Sequence, residues 1–309
     1  MSYINNKVVR IMLIVAAAAL LASAGWFFNF TLSPYPVTPE QIHAHYAYKT
    51  PDNLQWQQTK LEENYYEFTY KTFDGQTVNG RIKYPKTRSE LTEPVPVLIG
   101  IHALGRSQIR WFQDSFKDRP TITHVDKITQ QALKKGYAVI AIDARNHGLR
   151  KDLDYTIGDV MIDLHYFARK DPYETMISDT VKDHRVLLDW VTQQLQFDHS
   201  QINVAGYSMG GQTSLLLAGV DQRIAAVAAV VPPHLDDKTA LVAPKNIMPG
   251  LADNRVWLFT ANDDEYAEKA QNQALFDAIP SQNKMHFHFD SGHILPSDYI
   301  EDLTDWLSL

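Results

Sequence analysis

Six stretches of this sequence run apolar with little interruption: 95–102 (VPVLIGIH), 137–143 (YAVIAID), 201–206 (QINVAG), 224–231 (IAAVAAVV), 255–260 (RVWLFT) and 284–289 (KMHFHF). A strand wetted on one side alternates polar with apolar residues. A strand that is apolar throughout is covered on both faces, as in the interior of a parallel sheet. Between these runs lie segments with apolar residues at helical spacing, 125–135, 180–195, 209–220, 265–279 and 296–307. Strands alternating with helices predict an α/β fold, a doubly wound and mostly parallel sheet. Two further runs, 65–72 and 77–84, flank Phe73-Asp74-Gly75-Gln76. Aspartate-glycine between alternating aromatic runs predicts an antiparallel hairpin, here at one sheet edge. Sites in such sheets lie at the carboxyl ends of the strands.

The N-terminal segment has another character. No charged residue occurs from Ile11 to Phe30, and about 20 apolar residues suffice to span a membrane. Lys7 and Arg10 precede the run, and no Lys or Arg follows before Lys49. That asymmetry predicts a membrane anchor with the rest of the chain outside the cytoplasm, periplasmic or extracellular. Ala22-Ser23-Ala24 also fits a signal-peptide cleavage site, with 11–21 as its apolar region, so secretion after cleavage is the alternative. Trp26-Phe27-Phe28 favours retention, because aromatic rings prefer the membrane–water interface. A buried core helix is the third reading. The expected organisation is an anchor or signal peptide over 1–32, a linker and lead-in over 33–59 that opens on SPYPVTP, and one α/β domain over 60–309.

Composition removes several function classes. The formal net charge is −7 with no basic stripe, which argues against nucleic-acid partners. The sequence has no cysteine, which excludes disulfides, zinc-thiolate sites and thiol catalysis.

Gly206-Tyr207-Ser208-Met209-Gly210 joins the run 201–206 directly to the helical pattern 209–220. Strand, tight glycine-flanked turn and helix are the context in which a serine becomes an exposed nucleophile. Its hydroxyl needs a base. His293 follows the last apolar run, within Asp290-Ser291-Gly292-His293, and is the predicted base. The imidazole needs an acid to fix its tautomer. Asp264, in the loop after 255–260, is the predicted acid, with Asp263 beside it as the alternative. The order Ser208, Asp264, His293 differs from the chymotrypsin and subtilisin orders. The oxyanion donors are predicted to be the backbone N–H of Met209 and that of Leu104, in the loop His102-Ala103-Leu104-Gly105. His286 and His288 alternate along one run without a nearby third ligand, so no metal site is predicted there, and no cofactor is implied.

With these residues the chain resembles the α/β-hydrolases, most of all the group of dienelactone hydrolases and prolyl oligopeptidase-like hydrolase domains. The resemblance covers about residues 60–309 and rests on His102–Gly105, Gly136-Tyr137-Ala138-Val139, Asp143–Gly148, Gly206–Gly210, Asp263-Asp264 and Gly292-His293. It implies the α/β-hydrolase fold and the same triad and oxyanion residues. Two departures stand out: Ala103 replaces a usual glycine after His102, and Asn146 replaces the glycine of Arg-Gly-His-Gly. Asparagine tolerates positive φ better than most residues. The segment 149–176 reads as a modest insertion near the site, and the short stretch after 231 leaves no room for a large lid.

The expected function is a serine hydrolase, a carboxylesterase acting on a small-molecule ester through an acyl-enzyme on Ser208. The alternatives are a peptidase of the prolyl oligopeptidase-like type and a catalytically silent, membrane-tethered binding protein. A further rival is a phosphate-binding loop at 100–107, which has Arg106 where that motif places lysine.

Overall fold

The computed structural model describes residues 6–308. The side chains of Phe27 and Phe28, expected with Trp26 at the membrane interface, lie outside the described residues. The chain lays down an antiparallel edge first: β1 (Gln57–Glu62), β2 (Tyr65–Lys71) and β3 (Thr77–Lys83). Then come β4 (Val95–Ile101) and a separate small hairpin of β5 (Ser115–Phe116) and β6 (Arg119–Pro120). The remaining strands are β7 (Ala138–Ile142), β8 (Phe197–Tyr207), β9 (Ala226–Val230), β10 (Arg255–Ala261) and β11 (Lys284–Phe289). The main sheet has nine strands in the order β1-β2-β3-β7-β4-β8-β9-β10-β11. β3 meets β7 antiparallel, and every pairing from β7 to β11 is parallel.

Helices cover both faces. α3 (Val125–Lys134) and α8 (Tyr299–Trp306) pack together on one side. α5 (Asp171–Val191) and α6 (Met209–Val220) pack together on the other. β4 shows why its run is apolar throughout. Val97, Ile99 and Ile101 enter the core with α5 and α6, whereas Leu98 enters the core with α3 and α8. Each fully buried side chain of this kind contributes about 1.5–3 kcal/mol. Gly100 interrupts the series because Trp111 occupies its side-chain position, with ring carbon Cδ2 only 2.3 Å from where a Cβ would lie.

Three segments add to the sequence expectation. α5 starts at Asp171 rather than near 180, with Pro172 in its first turn and Asp171 and Glu174 favouring its N-terminus. The segment 149–176 therefore holds α4 (Ile157–Tyr166) and the opening of α5. The residues after 107 form a 3₁₀ turn, Gln108–Trp111, instead of the α-helix that a phosphate-binding loop requires.

Within 33–59, α2 (Pro39–Tyr46) packs on α5, and Tyr46 Oη donates to Leu241 O at 2.9 Å. α1 (Asn6–Phe30) is one apolar helix, with a fully exposed 6–26 stretch of mean hydropathy 2.2. By length and composition it can serve as a membrane span or a signal segment. Its Phe30 ring meets Phe167, just after α4, edge-on at 5.7 Å.

Candidate active site

β8 ends at Tyr207 and α6 begins at Met209, so Ser208 alone makes the turn. Its φ of 57° and ψ of −120° form a strained pair for a residue with a side chain. Its N–H donates to Val230 O at 2.8 Å, which ties the turn to β9. The flanking glycines are demanded by contact. A Cβ on Gly206 would lie 2.0 Å from Gly210 O, and one on Gly210 would lie 2.1 Å from Ile101 O. The first turn of α6 is thereby pressed against the end of β4, beside the loop that carries Leu104. Met209 N–H is one of the helix's first donors, which lack an intrahelical acceptor.

His293 and Asp264 meet this serine. Ser208 Oγ lies 2.8 Å from His293 Nε2. His293 Nδ1 lies 3.0 Å from each carboxylate oxygen of Asp264. The carboxylate accepts the Nδ1 proton, which leaves Nε2 as the acceptor for the serine hydroxyl. Asp264 has a buried side chain, 1% exposed, and its Oδ1 also accepts from Tyr266 N–H at 2.9 Å. Asp263 is exposed. The carboxylate that reaches the imidazole is therefore that of Asp264. His286 and His288 lie elsewhere, both within hydrogen-bonding distance of Thr260 Oγ1.

The loop after β4, which carries Leu104, rests on a buried histidine. His102 Nε2 accepts from Ala144 N–H at 3.1 Å, so its Nδ1 carries the proton and donates to Ala103 O at 2.9 Å. Burial pushes the His102 pKa down to about 4, which keeps the ring neutral. The side chain thus straps the loop after β4 to the end of β7. Next to it, Arg145-Asn146-His147-Gly148 turns through two positive φ values, 59° at Asn146 and 56° at Gly148. Asparagine stands where the sequence comparison expects glycine, and the backbone uses the left-handed conformation there all the same. Arg145 fastens this turn by binding both oxygens of buried Asp183 at 2.8 Å and Asp74 at 2.7 Å.

Two tyrosines at the site went unread in the sequence. Tyr207 Oη donates to His293 O at 2.8 Å and accepts from Leu295 N–H at 2.9 Å, so one hydroxyl grips the histidine loop at two points. Tyr266 sets its ring edge-on to the His293 ring at 4.6 Å. Tyr207 adjoins Ser208 in sequence, but nothing local marks its hydroxyl as a brace. Among the described residues no cluster of three or more His, Cys, Asp or Glu side chains is arranged to hold a metal.

A family model for the alpha/beta hydrolase fold matches residues 119–285. No curated protein matches the sequence. Among solved structures, acetyl xylan esterase 1 from Thermoanaerobacterium sp. is similar with a TM-score of 0.68 at 16% identity, covering 90% of this chain and 97% of that one. A cold-adapted esterase from an Arctic intertidal metagenomic library gives 0.62 at 17% identity, covering 81% and 96%. The Pyrococcus furiosus esterase Pf2001 gives 0.56 at 16% identity, covering 91% and 95%. At these identities the likeness is one of fold.

Proposed function

This chain belongs to the alpha/beta hydrolase family, and from that membership we propose that it is a serine hydrolase cleaving carboxylic esters through an acyl-enzyme on Ser208. The observation that carries the reading is the unbroken contact series from Ser208 Oγ through His293 to buried Asp264, at 2.8 and 3.0 Å. A serine in an ordinary turn has no need of a strained backbone, an imidazole acceptor and a buried carboxylate behind it. That structural neighbours are named esterases supports the choice of ester over amide.

His293 Nε2 takes the hydroxyl proton as Ser208 Oγ attacks the ester carbonyl carbon. The N–H groups of Met209 and Leu104 hold the oxyanion that forms. When the tetrahedral intermediate collapses, His293 returns the proton to the departing alcohol and the acyl group stays on Ser208. Water then attacks the acyl-enzyme, with His293 again as base, and the acid leaves. Asp264 keeps the proton on Nδ1 and offsets the imidazolium charge.

A fluorophosphonate probe tests this directly. The protein should label, and Ser208→Ala should abolish both labelling and cleavage of 4-nitrophenyl esters. Labelling that survives Ser208→Ala would remove the assignment, and cleavage of aminoacyl anilides but not esters would turn the reading to a peptidase. The length and exposure of apolar α1 support a membrane anchor, and Lys7 and Arg10 ahead of it, with no Lys or Arg before Lys49, favour the non-cytoplasmic side for the hydrolase body. Alkaline carbonate extraction should leave the protein in the membrane pellet at full mass, whereas release at reduced mass would indicate a cleaved signal peptide instead.

A further inference from the structure

A cavity of about 560 Å³ opens beside the oxyanion loop. Its walls are the loop that continues from Leu104 through Gly105 and Arg106, the β5–β6 hairpin, and the turn after β7. Six cationic side chains line it: Arg81, Arg106, Arg110, Lys117, Arg119 and Lys151. The chain as a whole is acidic, with a net charge of −7, so this concentration does not follow from composition. Neither do local carboxylates balance it. Among the described residues, no carboxylate lies within ion-pair distance of Arg106, Arg110, Lys117, Arg119 or Lys151, and Arg81 reaches Glu67 only at 4.0 Å.

The one acid in the lining is Asp143, and it is otherwise engaged. Its carboxylate accepts from Gln108 N–H and Leu149 N–H, each at 3.0 Å, and so braces the two loops that form the walls. Gly148 permits that brace, since a Cβ there would sit 2.1 Å from the Asp143 carboxyl carbon. Arg110 is held in place, 7% exposed, by bonds to Arg119 O at 2.6 Å and Thr121 Oγ1 at 3.3 Å. Burial, followed by repulsion from Arg106 and Arg119, pushes its pKa down, as expected where like charges are gathered without counter-charge.

A concave site lined by one sign of charge focuses its field and concentrates anions, even where the side chains reach solvent as those of Arg106, Lys117, Arg119 and Lys151 do. The position says what would carry the anion. β4 lies next to β8 in the sheet, with β7 two strands and β3 three strands away, so the walls of the cavity stand about 5–15 Å across the sheet from the strand that ends at Ser208, and Gly105 and Arg106 continue directly from Leu104. We infer that the cavity holds an anionic group, a carboxylate, phosphate or sulfate, carried by the ester substrate on its acyl or its alcohol side. This deepens the proposed esterase function and rests on it.

The test pairs a substrate that bears an anionic group with a neutral analogue that lacks it, and compares each pair's ratio between wild type and variant so that differences in intrinsic reactivity cancel. Mono-4-nitrophenyl adipate against 4-nitrophenyl hexanoate places the charge on the acyl side. 4-Acetoxybenzenesulfonate against phenyl acetate places it on the alcohol side. In one pair the ratio of kcat/KM, charged over neutral, should fall by at least about fivefold in Arg106→Gln/Lys151→Gln. The fall should lie mainly in KM, and the wild-type ratio should shrink as salt rises from 20 to 500 mM, roughly by the screening expected over that range. Inorganic phosphate and sulfate as competitive inhibitors separate a phosphate- or sulfate-type ligand from a carboxylate. Ratios in both pairs that match between the wild type and the double variant would overturn the inference. If no ester is cleaved at all, the esterase reading fails separately, and sulfate-dependent thermal stabilisation of the wild-type protein still reports on the cavity. Because sulfate also stabilises folded proteins without binding, the reading is the difference between the two proteins: an increment no larger in the wild type than in the double variant overturns the anion site.

Discussion

Replacing Tyr207 by phenylalanine removes one oxygen and keeps the ring, which packs against Tyr299 at 6.2 Å and His293 at 6.1 Å. The lost hydroxyl serves two hydrogen bonds, to His293 O and from Leu295 N–H. The bond to His293 O is worth ~1 kcal/mol net, and leaving the Leu295 N–H unpaired in the interior costs about 1–3 kcal/mol. Leu295 is 1% exposed, so its N–H has no easy recourse to water. The structure therefore predicts a loss of about 2–4 kcal/mol, and its destination is what matters. If the histidine loop stays in place, the whole loss appears as global stability, and Tm falls by roughly 4–16 °C. If the loop relaxes, global stability changes less and His293 moves off the line to Ser208. A displacement of ~1 Å at such a group costs about a hundredfold in rate. The geometry favours the second course, because both bonds end on the loop carrying His293 and neither ends in the sheet. Tyr207→Phe should thus lower kcat for a 4-nitrophenyl ester by about 10–100-fold, and slow fluorophosphonate labelling in parallel. A kcat within about twofold of wild type, with Tm lowered by the full amount, would refute the positioning argument and leave a purely structural hydrogen bond.

Four further outcomes are expected. Asp264→Asn should reduce kcat about 10³–10⁴-fold, because an amide cannot hold the proton on Nδ1 in the same way. Asp263→Asn should cost less than about threefold in the same assay, since an exposed carboxylate that does not reach the ring supplies none of this stabilisation. Gly206→Ala should abolish activity and lower the yield of soluble protein, as its Cβ would meet Gly210 O at 2.0 Å and only a backbone shift relieves that; a well-folded, active Gly206→Ala protein in circular dichroism and ester assays would contradict the contact argument. Acid should destabilise the fold through His102, His147 and His184, whose pKa values burial pushes down to about 4, 3 and 4. An unfolded histidine titrates near ~6.5, so between these values the unfolded chain binds protons that the folded chain refuses. Stability is then complete above pH ~6.5 and is lost as pH falls toward 4, at up to about 4 kcal/mol per pH unit for three groups; a urea midpoint that does not move between pH 7 and pH 5 would contradict it.

What the sequence disclosed and what it withheld divide along a physical line. Ser208 was legible because a tight turn needs glycine on both sides, and Gly206 and Gly210 stand where any Cβ would strike a carbonyl oxygen. The parallel strands were legible because burial on two faces leaves no room for polar side chains. β1 was not, because Gln57–Glu62 is polar and almost wholly exposed, as suits an edge strand that must not recruit another chain. The early turns of α5 were hidden by their own chemistry. Glu174 and Ser178 in those turns are buried polar residues that break an apolar stripe, and further along Asp183 is buried where Arg145, Arg150 and Thr72 all bind its carboxylate. Tyr207 and the cationic cavity fail for a related reason. The tyrosine's partners lie 86 and 88 residues downstream. The six cations come from the loop after β4, the β5–β6 hairpin, the turn after β7 and strand β3, so no run of sequence looks basic. A demand made by backbone geometry is met within a few residues and leaves a motif. A demand met by side chains converging across a wound sheet is distributed over the chain, and it becomes visible only when the strand order is known. In this protein the proposed nucleophile belongs to the first kind and the proposed anion site to the second. The substitutions that test for an anionic substrate group therefore lie among residues 81–151 rather than around Ser208.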